Sequence, residues 1–379
     1  MEMNSNRNPN ELAIIGSSQS KGRPTAAPLH GAFSEMKARL RLTFRHHPFS
    51  CSNYYPLLVF TMRDLKSILI TGGAGFVGSS LVRNLLKEDD LEKLIVLDKL
   101  VHASSREHLI GPDQDPRFLF VEGDINDRSL LDQLLAEHKV TGVLHLAEES
   151  RTDAATIDTV AFVTTNIGGT ATMIEATRAA QVPLLHCSTD QVYGNIDSPA
   201  KAKENQPLKP NSAYAVSKAS ADLLCLAACH SHKQDILITR STNNYGPRQS
   251  PNNLIPSIID KASRDEPIPI PGNGLQIRDW LHVDDHCQGL IAAWRRGKAG
   301  NIYHFAGHCE RTNIGMARSV LDFLRKPHSL LEKAAAQPGQ DARYALDTEK
   351  AMMWFGWTPQ KQFKDHFSEV MLALSSENR

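Results

Sequence analysis

From Ser67 onward the apolar residues fall into short unbroken runs, separated by longer stretches with apolar positions three and four apart. Ser67-Ile68-Leu69-Ile70-Thr71, Lys93 to Leu97, Phe118 to Val121, Gly142 to Ala147 and Leu184 to Ser188 are runs of this kind. Short apolar runs bounded by small or polar residues read as strands buried on both faces. Helices are expected from Ser79 to Leu86, from Thr170, and from an N-cap at Asn211 or Ser212. Strands alternating with helices predict an α/β chain, a Rossmann-type doubly wound parallel sheet, with a smaller C-terminal substrate-binding lobe. The expected organisation is a dinucleotide-binding domain over 63–245 and a substrate-binding lobe over 246–379, with segments crossing between them.

Residues 1–62 lack this pattern. They are rich in Ser, Asn, Pro and Arg, and they read as a disordered extension. The basic cluster Lys37, Arg39, Arg41 and Arg45 has the character of a transit peptide, against which stand Glu2, Glu11 and Glu35. Tyr54 to Phe60 is too short for a signal peptide, and initiation at Met62 is the plain alternative.

Each apolar run delivers small or polar residues to its carboxyl end, where a doubly wound sheet binds its ligand. The first leads into Gly72-Gly73-Ala74-Gly75-Phe76-Val77-Gly78. Glycines at 72, 75 and 78, between a strand and a helix, let backbone approach a pyrophosphate at the helix N-terminus. The second run ends at Asp98, 20 residues beyond Gly78. An acid at that spacing binds the adenosine ribose hydroxyls and repels a 2′-phosphate, which selects NAD over NADP. Gly123-Asp124-Ile125 falls on the adenine side, and Leu146-Ala147 over the cofactor. The run Leu184 to Ser188 continues as Thr189-Asp190-Gln191, and Tyr214 and Lys218 follow four residues apart on one helical face. There the Lys218 ammonium is expected to lower the pKa of the Tyr214 phenol from about 10 toward neutrality, making it a base beside a nicotinamide.

Charge and composition narrow the picture further. Lys+Arg and Asp+Glu number 42 each, so no net field favours nucleic acid or an anionic membrane. No apolar run approaches the roughly 18 residues of a membrane span. The cysteines at 51, 187, 225, 229, 287 and 309 have no framework spacing and read as reduced thiols of a cytoplasmic protein without a metal site. Cys225 and Cys229 lie in the stretch Leu223 to Cys229, expected as a buried apolar stripe. Met352, Met353, Trp354 and Trp357 are expected in the core of the C-terminal lobe.

These features resemble the extended short-chain dehydrogenase/reductase family and, within it, the dTDP-glucose 4,6-dehydratases, over Ser67 to about Pro359. The likeness also covers Val96-Leu97-Asp98-Lys99-Leu100, Thr165-Asn166-Ile167, Ser188-Thr189-Asp190, Asn243-Asn244-Tyr245-Gly246-Pro247, Leu254-Ile255-Pro256 and Arg278-Asp279-Trp280-Leu281-His282-Val283-Asp284-Asp285-His286. The resemblance implies tightly held NAD, a nucleoside-diphosphate sugar such as dTDP-glucose or a UDP-sugar, and a homodimer. The apolar faces of the helices from Thr170 and Tyr214 would pair in that dimer. It implies cofactor contacts from Gly72, Gly75, Phe76, Val77, Gly78, Asp98, Lys99, Asp124, Ile125, Leu146, Ala147, Thr165, Tyr214, Lys218 and Asn244. It implies substrate contacts from Ser150, Thr189, Asn243, Asn253, Leu254, Ile255, Pro256, Arg278 and His304. It makes Asp284-Asp285-His286 a helix start rather than a metal cluster.

The mechanism implied is oxidation at C4 with Tyr214, Lys218 and Thr189, loss of water across C5–C6 with Asp190 as acid, and hydride return to C6. Where the family has a Glu as the C5 base, this chain has Gln191, and an amide cannot take the proton. Either the base is lost or another carboxyl, Glu148 or Glu149, supplies it. Further departures are Glu148 within Ala147-Glu148-Glu149-Ser150-Arg151-Thr152-Asp153, His304 after Tyr303, Gln340 after Pro338-Gly339, and Pro271 before Gly272. They leave the nucleotide base open. Three readings follow: a sugar-nucleotide 4,6-dehydratase, a 4-epimerase or oxidoreductase that stops at C4 chemistry, and an NAD-binding scaffold with little turnover.

Overall fold

A computed structural model describes residues 62–101, 104–150, 158–336 and 339–377. Of the expected extension over residues 1–62 all but Met62 lies outside the described residues, as do the stretch Arg151-Thr152-Asp153 and Pro338. From Ser67 the chain runs β1 (Ser67–Thr71), α1 (Phe76–Leu85), β2 (Lys93–Asp98), β3 (Phe118–Glu122), α2 (Arg128–Glu137) and β4 (Gly142–His145). Next come α3 (Thr159–Phe162), a π-helical segment (Val163–Gly169), α4 (Thr170–Ala180), β5 (Leu184–Thr189), α5 (Ala213–His232) and β6 (Ile236–Ser241). The apolar runs are the strands. The helix after the glycine loop starts at Phe76 rather than Ser79, because Gly78 is itself helical.

One seven-stranded sheet carries the order β3-β2-β1-β4-β5-β6, with β10 (Ile302–Phe305) beyond β6, and every pair in it is parallel. β1, β4 and β6 are buried along their whole length. Two apolar cores explain this. Leu81, Leu85, Ile70, Leu144, Leu290 and Trp294 fill one face, and Leu69, Ile95, Leu131, Met173, Ile174 and Ile238 the other. The strand order reverses between β1 and β4, which opens a crevice outside their carboxyl ends.

The second half of the chain serves both layers. β7 (Asn243–Tyr245), α6 (Leu254–Ser263), β8 (Ile268–Pro271) and β9 (Ile277–His282) precede α7 (Val283–Arg296). After β10 come β11 (Glu310–Thr312), α8 (Asn313–Leu324), β12 (Leu331–Ala334), α9 (Glu349–Phe355) and α10 (Phe363–Glu377). β11, β9 and β7 form one small sheet and β12 and β8 another. With α6, α8 and α10 they enclose a third core of Tyr245, Ile258, Trp280, Val320, Leu321 and Phe363. β10, α7 and α9 return to the large sheet, where Leu290, Trp294, Tyr303, Phe305 and Phe355 share its core.

α7 begins at the Asp284-Asp285-His286 cluster. Asp284 pairs with Lys361 at 2.9 Å, and Asp285 accepts the backbone N–H groups of Gln360 and Lys361. Among the described residues no group of His, Cys, Asp and Glu is arranged to hold a metal. No helix among them is long and apolar enough to cross a membrane.

Two core assignments are corrected. Met352 and Met353 are exposed at 49% and 66%, because α9 buries Ala351 and Phe355 on its other face, while Trp354, partly buried, and Trp357, buried, pack in the core of the large sheet rather than in that of the C-terminal lobe. The Leu223 to Cys229 stripe is buried only at Cys225 and Ala228, and Leu223 and Leu224 face outward. An α-helix packed on a single side buries one face only.

Candidate active site

The glycine loop is shaped by close backbone contacts. Gly72 has φ +72, and a Cβ there would lie 2.7 Å from the Ala147 nitrogen. A Cβ on Gly78 would come within 2.1 Å of the Gly72 carbonyl oxygen. Gly75 occupies the N-cap position of α1 and gives no side-chain cap, so the first-turn amides, including those of Phe76 and Val77, stay open to an anion. Asp98, at the end of β2, accepts the Ala74 and Leu100 amides at 2.9 Å each. Lys99 and Asp124 form an ion pair at 2.6 Å, and Ile125 is buried beside Gly169. Leu146 and Ala147 donate their amides to the carbonyl oxygen and the hydroxyl of Thr71. Thr165 is half-buried in the π-helical segment. An uncapped helix N-terminus against bare backbone, with an acid at the end of the second strand, is the donor and acceptor set that a dinucleotide requires.

At the carboxyl end of β5, Thr189 donates to the Asp190 carboxyl at 3.2 Å and caps the Gln191 amide. The second Asp190 oxygen is buried without a hydrogen-bond partner. Burial pushes the Asp190 pKa up to about 7 even though the Arg278 guanidinium opposes the rise. The carboxyl is therefore able to hold a proton near neutrality. Arg278 lies over the Tyr344 ring and donates to the Asp341 carbonyl at 3.1 Å.

Ser212, not Asn211, caps α5 by accepting the Ala215 amide. Tyr214 and Lys218 are nearly buried on the same face of that helix. A third group joins them. The Tyr214 hydroxyl donates to the Glu148 carboxyl at 3.1 and 3.3 Å, and Lys218 donates to the same carboxyl at 2.8 Å and to the Cys187 carbonyl at 2.7 Å. Here the structure corrects the expected lowering of the Tyr214 pKa. Burial, followed by the Glu148 charge, raises it well above its ordinary value. Burial acts against the Lys218 ammonium, but the surrounding groups, Glu148 foremost, together raise its pKa above the ordinary value. The substitution at 148 was legible in the sequence; its contact with Tyr214 required the turn after β4.

The remaining expected contacts divide. Asn244 is the middle residue of β7, paired with Leu281 of β9 and with its side-chain oxygen buried and unpartnered, and Asn243 is half-buried at the start of β7. Ser150 and Asn253 are exposed, and Leu254 is half-buried at the start of α6. Ile255 and Pro256 are buried on α6, Ile255 within the small-lobe core. His304 is fully buried on β10, with one ring nitrogen 2.7 Å from the Tyr193 hydroxyl and the other 3.0 Å from the Asp347 carbonyl. Both nitrogens are engaged, which corrects its expected role in substrate binding. His304 belongs to a buried support network in which Arg240 pairs with Asp222 at 2.8 Å and with the Tyr193 hydroxyl. Asn166 holds the Glu149 backbone from both sides and donates to Ser217 at 2.9 Å. Polar groups so far apart in sequence give no periodic signal.

The sequence family described as GDP-mannose 4,6 dehydratase matches residues 69–370. A dTDP-glucose 4,6-dehydratase of Actinoplanes sp. is 40% identical over 310 residues, covering 80% of this chain and 96% of that protein. The crystal structure of a dTDP-glucose 4,6-dehydratase from Streptomyces venezuelae with NAD bound aligns at TM-score 0.79 and 40% identity, covering 83% of this chain and 98% of that one. A UDP-glucuronic acid 4-epimerase from Bacillus cereus, in complex with UDP-glucuronic acid and NAD, aligns at TM-score 0.77 and 26% identity, over 82% of this chain and 99% of that one.

Proposed function

The chain belongs to the NAD-dependent sugar-nucleotide epimerase/dehydratase family that includes GDP-mannose 4,6 dehydratase, and on that premise we propose that it removes water from a nucleoside-diphosphate hexose, with dTDP-glucose as the substrate. NAD would rest on the Gly72–Gly78 loop, its adenosine side toward Asp98, Asp124 and Ile125, and its nicotinamide side toward Ala147, Tyr214 and Lys218. Held there, NAD would supply a hydride acceptor for C4 and a hydride donor for the later return to the sugar. Gly78→Ala is expected to weaken NAD binding at least tenfold, since a methyl group 2.1 Å from a carbonyl oxygen forces the backbone apart. Calorimetric titration reads this, and unchanged affinity would remove the loop from the cofactor site.

The observation that carries dehydration over simpler C4 chemistry is Asp190. A buried carboxyl with one unpartnered oxygen and a pKa of about 7 is suited to protonating a departing hydroxyl. A reaction confined to C4 has no use for such an acid. Tyr214 handles the C4 hydroxyl, Thr189 orients Asp190, and the Arg278 guanidinium suits a diphosphate. Gln191 favours a second reading, 4-epimerisation, because its amide cannot remove the C5 proton and dehydration requires another acceptor. Incubation with dTDP-glucose and UDP-glucose decides between them. Loss of 18 mass units with a 4-keto product supports the dehydratase, and an epimer of unchanged mass replaces it with the second reading.

A homodimer completes the proposal. Val160 and Val163 before α4, and Val216, Leu223 and Leu224 on α5, are exposed at 71%, 50%, 46%, 57% and 38%. These helical segments pack against one another, so their outer faces form one apolar surface suited to a second copy. Light scattering is expected to give twice the chain mass, and Leu223→Glu to shift it toward the monomer.

A further inference from the structure

We infer that Glu148 is the proton acceptor of the C4 oxidation, working through Tyr214. The Tyr214 hydroxyl is not presented as a phenolate. It donates to the Glu148 carboxyl, with both carboxyl oxygens within 3.3 Å. Its own helix supplies the Lys218 ammonium, but that group is turned to Glu148 at 2.8 Å and to the Cys187 carbonyl. Burial, and after it the Glu148 carboxylate that faces it, pushes the phenol well above its ordinary value, while the nearby Cys187 thiol is itself pushed up to about 11 and is neutral at this pH. The histidines behind it, His145 and His186, are buried and kept neutral, so they add no positive charge. A protonated phenol can take the C4 hydroxyl proton only if its own proton leaves in the same step.

The geometry provides that exit. As the C4–H bond is broken and the carbonyl forms, the C4 hydroxyl proton passes to the Tyr214 oxygen, and the Tyr214 proton passes to Glu148. The carboxylate becomes a carboxylic acid, Tyr214 ends as it began, and the hydride from C4 would reduce the nicotinamide of NAD, so that the alcohol loses one proton and one hydride in all. The Glu148 side chain is 27% exposed, so it can release the proton to water, which Tyr214 at 8% exposure cannot easily do. Lys218 then acts by holding Glu148 in place. The inference rests on the C4 oxidation, which the dehydratase and the epimerase readings share, so it does not stand or fall with the net reaction.

The test compares the wild-type chain with Glu148→Gln and Glu148→Asp. Single-turnover C4 oxidation of dTDP-glucose or UDP-glucose is followed against pH, and the ultraviolet phenolate band is titrated with Tyr214→Phe as the blank. Glu148→Gln is expected to slow the oxidation at neutral pH about 10²-fold, with the rate recovering as pH rises and a phenolate band appears. Glu148→Asp, which keeps the carboxyl, is expected to restore most of the rate. Wild-type oxidation is expected at pH values where no Tyr214 phenolate absorbs. An unchanged or faster Glu148→Gln enzyme at neutral pH would overturn the inference. So would a Tyr214 phenolate in the wild type near neutrality, since the phenol would then need no acceptor.

Discussion

Tyr214→Phe is expected to lower turnover on the sugar nucleotide by about 10² to 10⁴, the usual worth of a positioned acid–base group. The ring makes an edge contact with Phe162 at 6.1 Å between centroids, and phenylalanine keeps it. What is lost is the hydroxyl that donates to Glu148 and that the proposed mechanism places at the sugar C4 hydroxyl. The change leaves the Glu148 to Lys218 pair intact, so no buried charge is orphaned and the fold is expected to keep its stability to within about 1 kcal/mol. The effect therefore falls on kcat, with NAD binding changed little. Steady-state kinetics and a calorimetric NAD titration separate the two. A variant within threefold of wild type would mean that the C4 proton leaves by another route, and Tyr214 would lose its place in the mechanism.

The fold was legible because its signal is local and periodic. Each apolar run from Ser67 to Ser188 became a strand of the large sheet, and the glycine loop sits between β1 and α1. β10, α7 and α9 were not foreseen in the large layer, since a strand such as Ile302–Phe305 looks the same whichever sheet receives it. Residue pairing across the site was the least legible part. Tyr214 and Lys218 share a helical face, as their spacing requires, but the spacing is silent about Glu148, which arrives from 66 residues upstream and reverses the expected shift of the phenol. His304 shows the same limit in the opposite sense. Its place after Tyr303 matched a family position, yet burial between Tyr193 and Asp347 makes it part of the support beneath the site. Exposure followed the same rule: Met352 and Met353 are apolar by type and exposed by position.

Asp190→Asn is expected to abolish water loss, by about 10² to 10⁴, while making the fold more stable above neutral pH. An amide cannot protonate a leaving hydroxyl, whereas the C4 oxidation uses Tyr214 and proceeds. The pH dependence follows from the same group. Its acid form carries the proton, so dehydration is expected to fall as pH rises through about 7. The stability effect has the same sign. The folded pKa, about 7, lies above the ordinary value of 3.8, so the stability that goes with a protonated Asp190 is present in full below pH 3.8 and is lost as pH rises to about 7. Three pH units at about 1.4 kcal/mol each give an upper bound of roughly 4 kcal/mol, the cost above pH 7 of ionising a carboxyl that is 2% exposed. Asparagine removes that cost and keeps an oxygen for the Thr189 hydroxyl, so denaturant unfolding at pH 8 should show the variant as the more stable protein, and at pH 4 the advantage should vanish. If the variant were less stable at both pH values, Asp190 would be a structural acceptor whose carboxylate the fold requires. A carboxyl kept at the expense of the fold's stability is what the proposed dehydration, with Asp190 as its acid, requires.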